Sequence, residues 1–150
     1  MSTLTLFRAS VAVFVVLSLI LTWIAIEIGV PFRLGGAGQR EQVAADALTH
    51  GTGISAPLVF LVVFVVLLAL SGLPGRWKAI PLFAAAIAGG VGLVAGVAEI
   101  PLGSGPFAYP IGGLGIAIWF LSIATAVVLV VSAITAAISI IRRHRATELR

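Results

Sequence analysis

Ala84–Glu99 reads AAAIAGGVGLVAGVAE, a stretch apolar enough to cross a membrane yet holding four glycines. Ala85, Gly89, Gly92, Gly96 and Glu99 follow steps of four, three, four and three. A period of about 3.5 residues places them on one helix seam. Small residues on such a seam let a second helix approach closely, a main route of helix association in lipid. The seam ends at a carboxylate, which hydrocarbon tolerates only at a cost. The pattern predicts that the other helices are arranged around this one.

The rest of the chain fits that setting. It has 150 residues, 61% of them hydrophobic and 9% charged, with a mean hydropathy of +1.24. A soluble domain keeps about a quarter of its residues charged. Too few polar residues remain to cover a globule, so lipid must be the solvent for most of the surface, and the length suits a single membrane domain over 1–150. Cysteine is absent, which excludes disulfides, thiolate metal sites and cysteine nucleophiles. The net charge of +4 reads as topogenic charge at helix ends, not as a nucleic-acid surface.

Four apolar runs follow in order. The first extends from residue 9 to 29, ahead of Pro31. Trp23, Ile24 and Glu27 stand where a signal peptide would carry small residues, so the run reads as an uncleaved span. An outer loop over 31–53 holds a short surface helix at 39–49, closed by Gly51. The second run, 54–73, is rich in Val, Leu and Phe and reads as a peripheral helix. Ser71–Gly75 is a turn, and Arg76, Trp77 and Lys78 mark a membrane interface. The third run is 79–100, before Pro101. The fourth, 111–141, exceeds one bilayer thickness; Gly112, Gly113 and Gly115 predict a non-spanning turn at its start. The tail after it reads as frayed.

Orientation follows from Lys and Arg. Arg8, Arg76, Lys78, Arg142, Arg143, Arg145 and Arg150 fall on one side, and only Arg33 and Arg40 on the other. The positive-inside rule then puts both termini in the cytoplasm, in a plasma (cell inner) membrane. A faint internal repeat supports pairing the runs into two hairpins. Phe7-Arg8-Ala9 with Glu27-Ile28 resembles Trp77-Lys78-Ala79 with Glu99-Ile100.

Chemistry has few places to sit. Glu27 and Glu99 fall at the outer ends of two outward spans, so they share a depth. Glu99 lies seven residues after Gly92, within about 20° around the helix. Glu27 shares a face with Trp23, Ile20 and Val16. Packing that bulky stripe on the glycine seam would dock the first helix on the third and bring the two carboxylates together, to share a proton or hold a cation. His50 and Asp46, four residues apart, form at most a weak ligand pair; no metal or cofactor is expected. Ser18, Thr22, Ser122, Thr125, Ser132, Thr135 and Ser139 lie within the spans, where hydroxyls bond back to the helix or across to a neighbour. No GxSxG, HExxH, P-loop or CxxC occurs, so no enzymatic constellation stands out.

The expectation is an all-α, polytopic, four-transmembrane-helix bundle with both termini cytoplasmic. It would act by helix packing, as an accessory subunit or a homo-oligomer, with the Ala85–Gly96 seam as the contact. The alternative is a small transporter or channel that uses Glu27 and Glu99.

Overall fold

The computed structural model describes residues 2–30, 40–52, 54–98, 107 and 109–148. Among the described residues are five α-helices: α1 (Thr3–Ile28), α2 (Arg40–Thr49), α3 (Leu58–Leu70), α4 (Ala79–Ala98) and α5 (Gly112–Glu148), with a 3-10 turn at Gly75–Lys78. The only β pairing among the described residues is an isolated bridge between Thr52 and Ser55.

Local chemistry explains the helix limits. Ser2 caps α1 by accepting a hydrogen bond from the Thr5 N–H, and Gly29 closes it at φ 71°, a conformation that suits glycine. Gly51, at φ 82°, ends α2 and donates to the Asp46 carbonyl. A Cβ there would stand 2.6 Å from the Ser55 carbonyl oxygen, so the position has room only for glycine. Pro57 has no N–H to offer an earlier turn, and α3 starts directly after it. Arg145 in the last turn of α5 complements the helix dipole.

The chain is all-α and polytopic. The helical stretches Thr3–Ile28, Gly75–Val97 and Gly112–Thr147 are long and apolar enough to cross a membrane. Three stretches thus reach that length among the described residues, where four were expected. The second apolar run, 54–73, forms only the 13-residue α3, because Pro57 delays its start and the Ser71–Gly72 turn stops it. At the other extreme, α5 is one helix of 37 residues. The helix weakness expected from Gly112, Gly113 and Gly115 does not break it, since α5 is helical from Gly112 onwards. A Cβ on Gly115 would lie 3.0 Å from that of Ile111, so glycine lets the preceding residue fold tightly over the first turn. The helix also continues through Arg142–Arg145 to Glu148, where the sequence predicts a frayed tail.

The centre of the bundle is α5, not α4. It packs extensively on both α1 and α4, which have no comparable contact with each other; α3 closes the opposite side against α1 and α4. Two cores result. One joins Phe7 and Val11 of α1, Phe64 of α3, Leu82 and Ala85 of α4, and Leu129, Ala133 and Ala137 of α5. The other joins Leu21, Ala25, Val30, Ile54, Ile111 and Trp119. The start of α1 therefore lies beside the start of α4 and the later half of α5, and the end of α1 beside the start of α5. Arg8 fixes the first end by donating to the Ser71 hydroxyl and carbonyl, each at 3.3 Å. There too the Arg76 guanidinium stacks 5.6 Å from the Trp77 ring centre.

The face that α1 buries corrects another expectation. Val16, Ile20 and Trp23 are exposed, while Ser10, Ser18, Leu21, Thr22 and Ala25 are buried. In lipid the bulky side gains nothing by leaving the hydrocarbon, whereas small and hydroxylated residues allow close approach. The stripe that carries Glu27 therefore does not dock on α4.

Candidate functional site

The glycine seam of α4 faces its own chain. A Cβ on Gly89 would lie 2.8 Å from a Val130 methyl and 3.3 Å from a Leu129 methyl, both on α5. On Gly92 it would lie 3.3 Å from the Phe60 ring of α3, and on Gly96 3.3 Å from the Ile123 terminal methyl of α5. Ala85 is fully buried in the core. The small residues thus admit α5 on one flank and the α3 rings on the other, at van der Waals distance.

Beyond Gly92, towards the C-terminal end of α4, the packing opens. There α3 has not yet begun, and α4 contributes the small residues Gly92, Ala95 and Gly96. A cavity of about 290 Å³ remains between the four helices and the 54–57 segment. Its floor is aromatic. The rings of Phe14 and Phe60 line it, and Phe64 packs edge-on against both, with centroids 5.5 and 5.1 Å apart. Trp119 and Ile123 form part of the α5 wall, and Leu21 part of the α1 wall. Val91, Ala95 and His50 also line it, and all three are exposed, so they mark its mouth.

Most hydroxyls in the helices are used locally. Thr22, Thr125, Thr135 and Ser132 donate to carbonyls three or four residues earlier, at 2.7–3.0 Å. Thr52 and Ser55 pair through backbone bonds of 3.0 and 3.3 Å, and their hydroxyls lie 2.9 Å apart. Ser18 and Ser122 differ. They are 2% and 7% exposed, line the cavity, and make no side-chain hydrogen bond among the described residues. The indole N–H of Trp119, a residue 4% exposed, likewise has no such bond. No fully enclosed side-chain nitrogen or oxygen lacks a partner among the described residues. These three polar groups therefore keep some accessible surface, and all three residues line the cavity.

Glu27 does not line this cavity. Glu27 is exposed on the Trp23 face of α1, and Glu99 lies outside the described residues, as does Arg33. The His50 imidazole is held 2.7 Å from the Thr49 hydroxyl, and Asp46 caps the end of α2 through its backbone carbonyl. No group of three or more His, Cys, Asp or Glu that could hold a metal occurs among the described residues.

The cavity was hidden in the sequence. Ser18 and Ser122 read like their neighbours because a hydroxyl in a span ordinarily bonds back to its own helix. The signal was the shortfall of helix between Gly51 and Pro57, opposite the smallest residues of α4.

These features define a multi-pass, all-α membrane protein built from closely packed apolar helices. No family model matches the chain, and neither a curated protein nor a solved structure matches it.

Proposed function

We propose that the protein is a non-catalytic packing element of the membrane, which docks on another membrane helix as an accessory subunit or against a second copy of itself. The observation that carries this reading is a second stripe on α4. Ile80, Phe83, Ile87, Gly90, Val94 and Val97 follow alternating steps of three and four, the spacing that holds one face towards a partner helix. Ile87 and Val94 are 69% and 72% exposed, and the space beside Gly90 is open. Large side chains on either side of a glycine form a notch for a neighbouring helix. The contacts at Gly89, Gly92 and Gly96 assign the opposite seam to packing within the chain, so association falls to the outward stripe and not to Ala85–Gly96.

Four crossings with both termini in the cytoplasm belong to the same reading. The 13 residues of α3 reach about 20 Å. Residues 55–57, outside the helix, add up to about 10 Å. Together they match a hydrocarbon core of about 30 Å. Non-helical backbone at that depth is tolerated where it lines a cavity, which is where Ser55–Pro57 lie. The basic residues at the starts of α1 and α4 and the end of α5 favour the cytoplasm for that end. Transport through Glu27 and Glu99 has less support, since Glu27 stands with Trp23 and Val16 on the exposed side of α1.

Native mass spectrometry of the protein extracted gently from its own membrane tests the docking reading. The wild type should carry a second copy or a stoichiometric second polypeptide. Gly90→Leu should weaken that assembly about tenfold by overfilling the notch, while the folded monomer persists. A wild type that is monomeric and alone would end the proposal.

A further inference from the structure

We propose that the cavity between the four helices is a binding site for a neutral, lipid-soluble molecule with a compact carbonyl-bearing head. Four observations define the ligand class. First, the space is about 290 Å³, the size of a small ring head group, and its floor and one wall are the rings of Phe14, Phe60 and Trp119. Second, three lining residues carry a polar group without a partner among the described residues: the hydroxyls of Ser18 and Ser122 and the indole N–H of Trp119. An indole N–H is a donor only, and a buried one ordinarily finds an acceptor. The ligand must therefore bring acceptors, as a carbonyl does.

Third, the described lining residues include no Asp, Glu, Lys or Arg, and the one histidine, His50, stands at the exposed mouth beside the Thr49 hydroxyl. A charged head would be left uncompensated in a site mostly walled by apolar groups, which is costly. Fourth, the mouth, which has His50 at one edge, extends along the flank of α4. Val91 and Ala95 are exposed and line it. They lie about 18 and 24 Å along α4 from its cytoplasmic start at Ala79, within the hydrocarbon layer. The ligand thus enters from lipid between the start of α3 and the later half of α4, and an apolar tail can remain in the bilayer. Trp119 and Ser122, three residues apart on α5, line one side of the cavity, and Ser18 on α1 lines another. Together they hold the head over the aromatic floor.

The test uses the full chain in phosphatidylcholine nanodiscs, with Trp23→Phe and Trp77→Phe so that Trp119 is the sole indole. The probe is decylubiquinone, a neutral dicarbonyl ring on an apolar tail that quenches indole fluorescence on contact. Quenching should saturate with quinone. Ser18→Ala and Ser122→Ala should each raise the half-saturating quinone fraction about two- to tenfold, the effect of one lost hydrogen bond. Ala95→Phe, at the exposed mouth, should abolish the saturable phase with the helical circular dichroism unchanged. Decylbenzene, with the tail and ring but no carbonyl, should compete at least about tenfold more weakly. Quenching that rises linearly and is the same in Ala95→Phe would show simple partitioning and overturn the site. Equal competition by decylbenzene would overturn the carbonyl-bearing class.

Discussion

Gly89→Leu is expected to destabilise the bundle by about 3 kcal/mol or more. A single Cβ at this position already falls 2.8 Å from the Val130 methyl, below the distance at which real carbons meet. Val130 is β-branched and sits on the central helix, so its methyl has little freedom to swing aside. Leucine adds three more carbons where Leu129 and the Phe64 ring close the remaining sides, at 3.3 and 3.9 Å. Either α4 moves off α5, losing dispersion contacts along the first core, or the side chains leave their rotamers. Neither route is inexpensive in a close-packed interior. Unfolding by sodium dodecyl sulfate titration from mixed micelles measures the loss. Gly90→Leu is the matched control, because the adjacent glycine faces open space and should shift monomer stability by less than about 0.5 kcal/mol. Equal stability of both variants would contradict the assignment of the Gly89 face to α5.

Phe64→Ala should cost about 3 kcal/mol, at the low end of the range for a buried phenylalanine. Phe64 is 1% exposed and touches three helices: Phe14 on α1, Phe60 beside it on α3, and the Gly89 region of α4. The transfer part of the usual cost shrinks here, because an unpacked side chain still lies in lipid rather than water. What remains is the cavity and dispersion part, which is large because α3 has few other ties to the bundle. The same detergent titration reads it. A loss below about 1 kcal/mol would mean that α3 is not held through its aromatic ring cluster.

Much of the fold was legible because lipid imposes one strong rule on composition. The apolar runs, the turn at Ser71–Gly75 and the cap at Gly51 follow from hydropathy and turn chemistry. The arrangement of the helices was harder to read. The glycines of α4 suggested a central helix, but the centre is α5, whose Ala126, Ala133, Ala136 and Ala137 are buried without forming so conspicuous a motif. The docking face of α1 is hidden for a related reason. Shape alone matches bulky residues to the glycine seam, although in hydrocarbon a bulky apolar face has no drive to leave the lipid. The face with Ser18, Thr22 and Ala25 is the one that packs.

The cavity shows a different limit. Hydropathy averages over a window, so 54–73 looked like one continuous span. The local signals inside that run, Ser55 as a potential cap and Pro57 without its N–H, stated where helix begins. A helix that begins late leaves a space at its start. Whether that space is filled depends on the facing residues of three other helices, and those partners are set by tertiary packing. Ser18 and Ser122 acquire their significance only from it.

Both the docking surface and the cavity depend on α3 crossing the bilayer, and one measurement addresses that directly. The chain has no cysteine, so single cysteines at Ser2, Asp46, Arg76 and Thr147 are clean reporters for a membrane-impermeant maleimide. The account predicts that intact cells label Asp46→Cys alone, and that Ser2→Cys, Arg76→Cys and Thr147→Cys react only after the membrane is opened. Labelling of Arg76→Cys together with Asp46→Cys in intact cells would place the two ends of α3 on one side and contradict the four-crossing bundle.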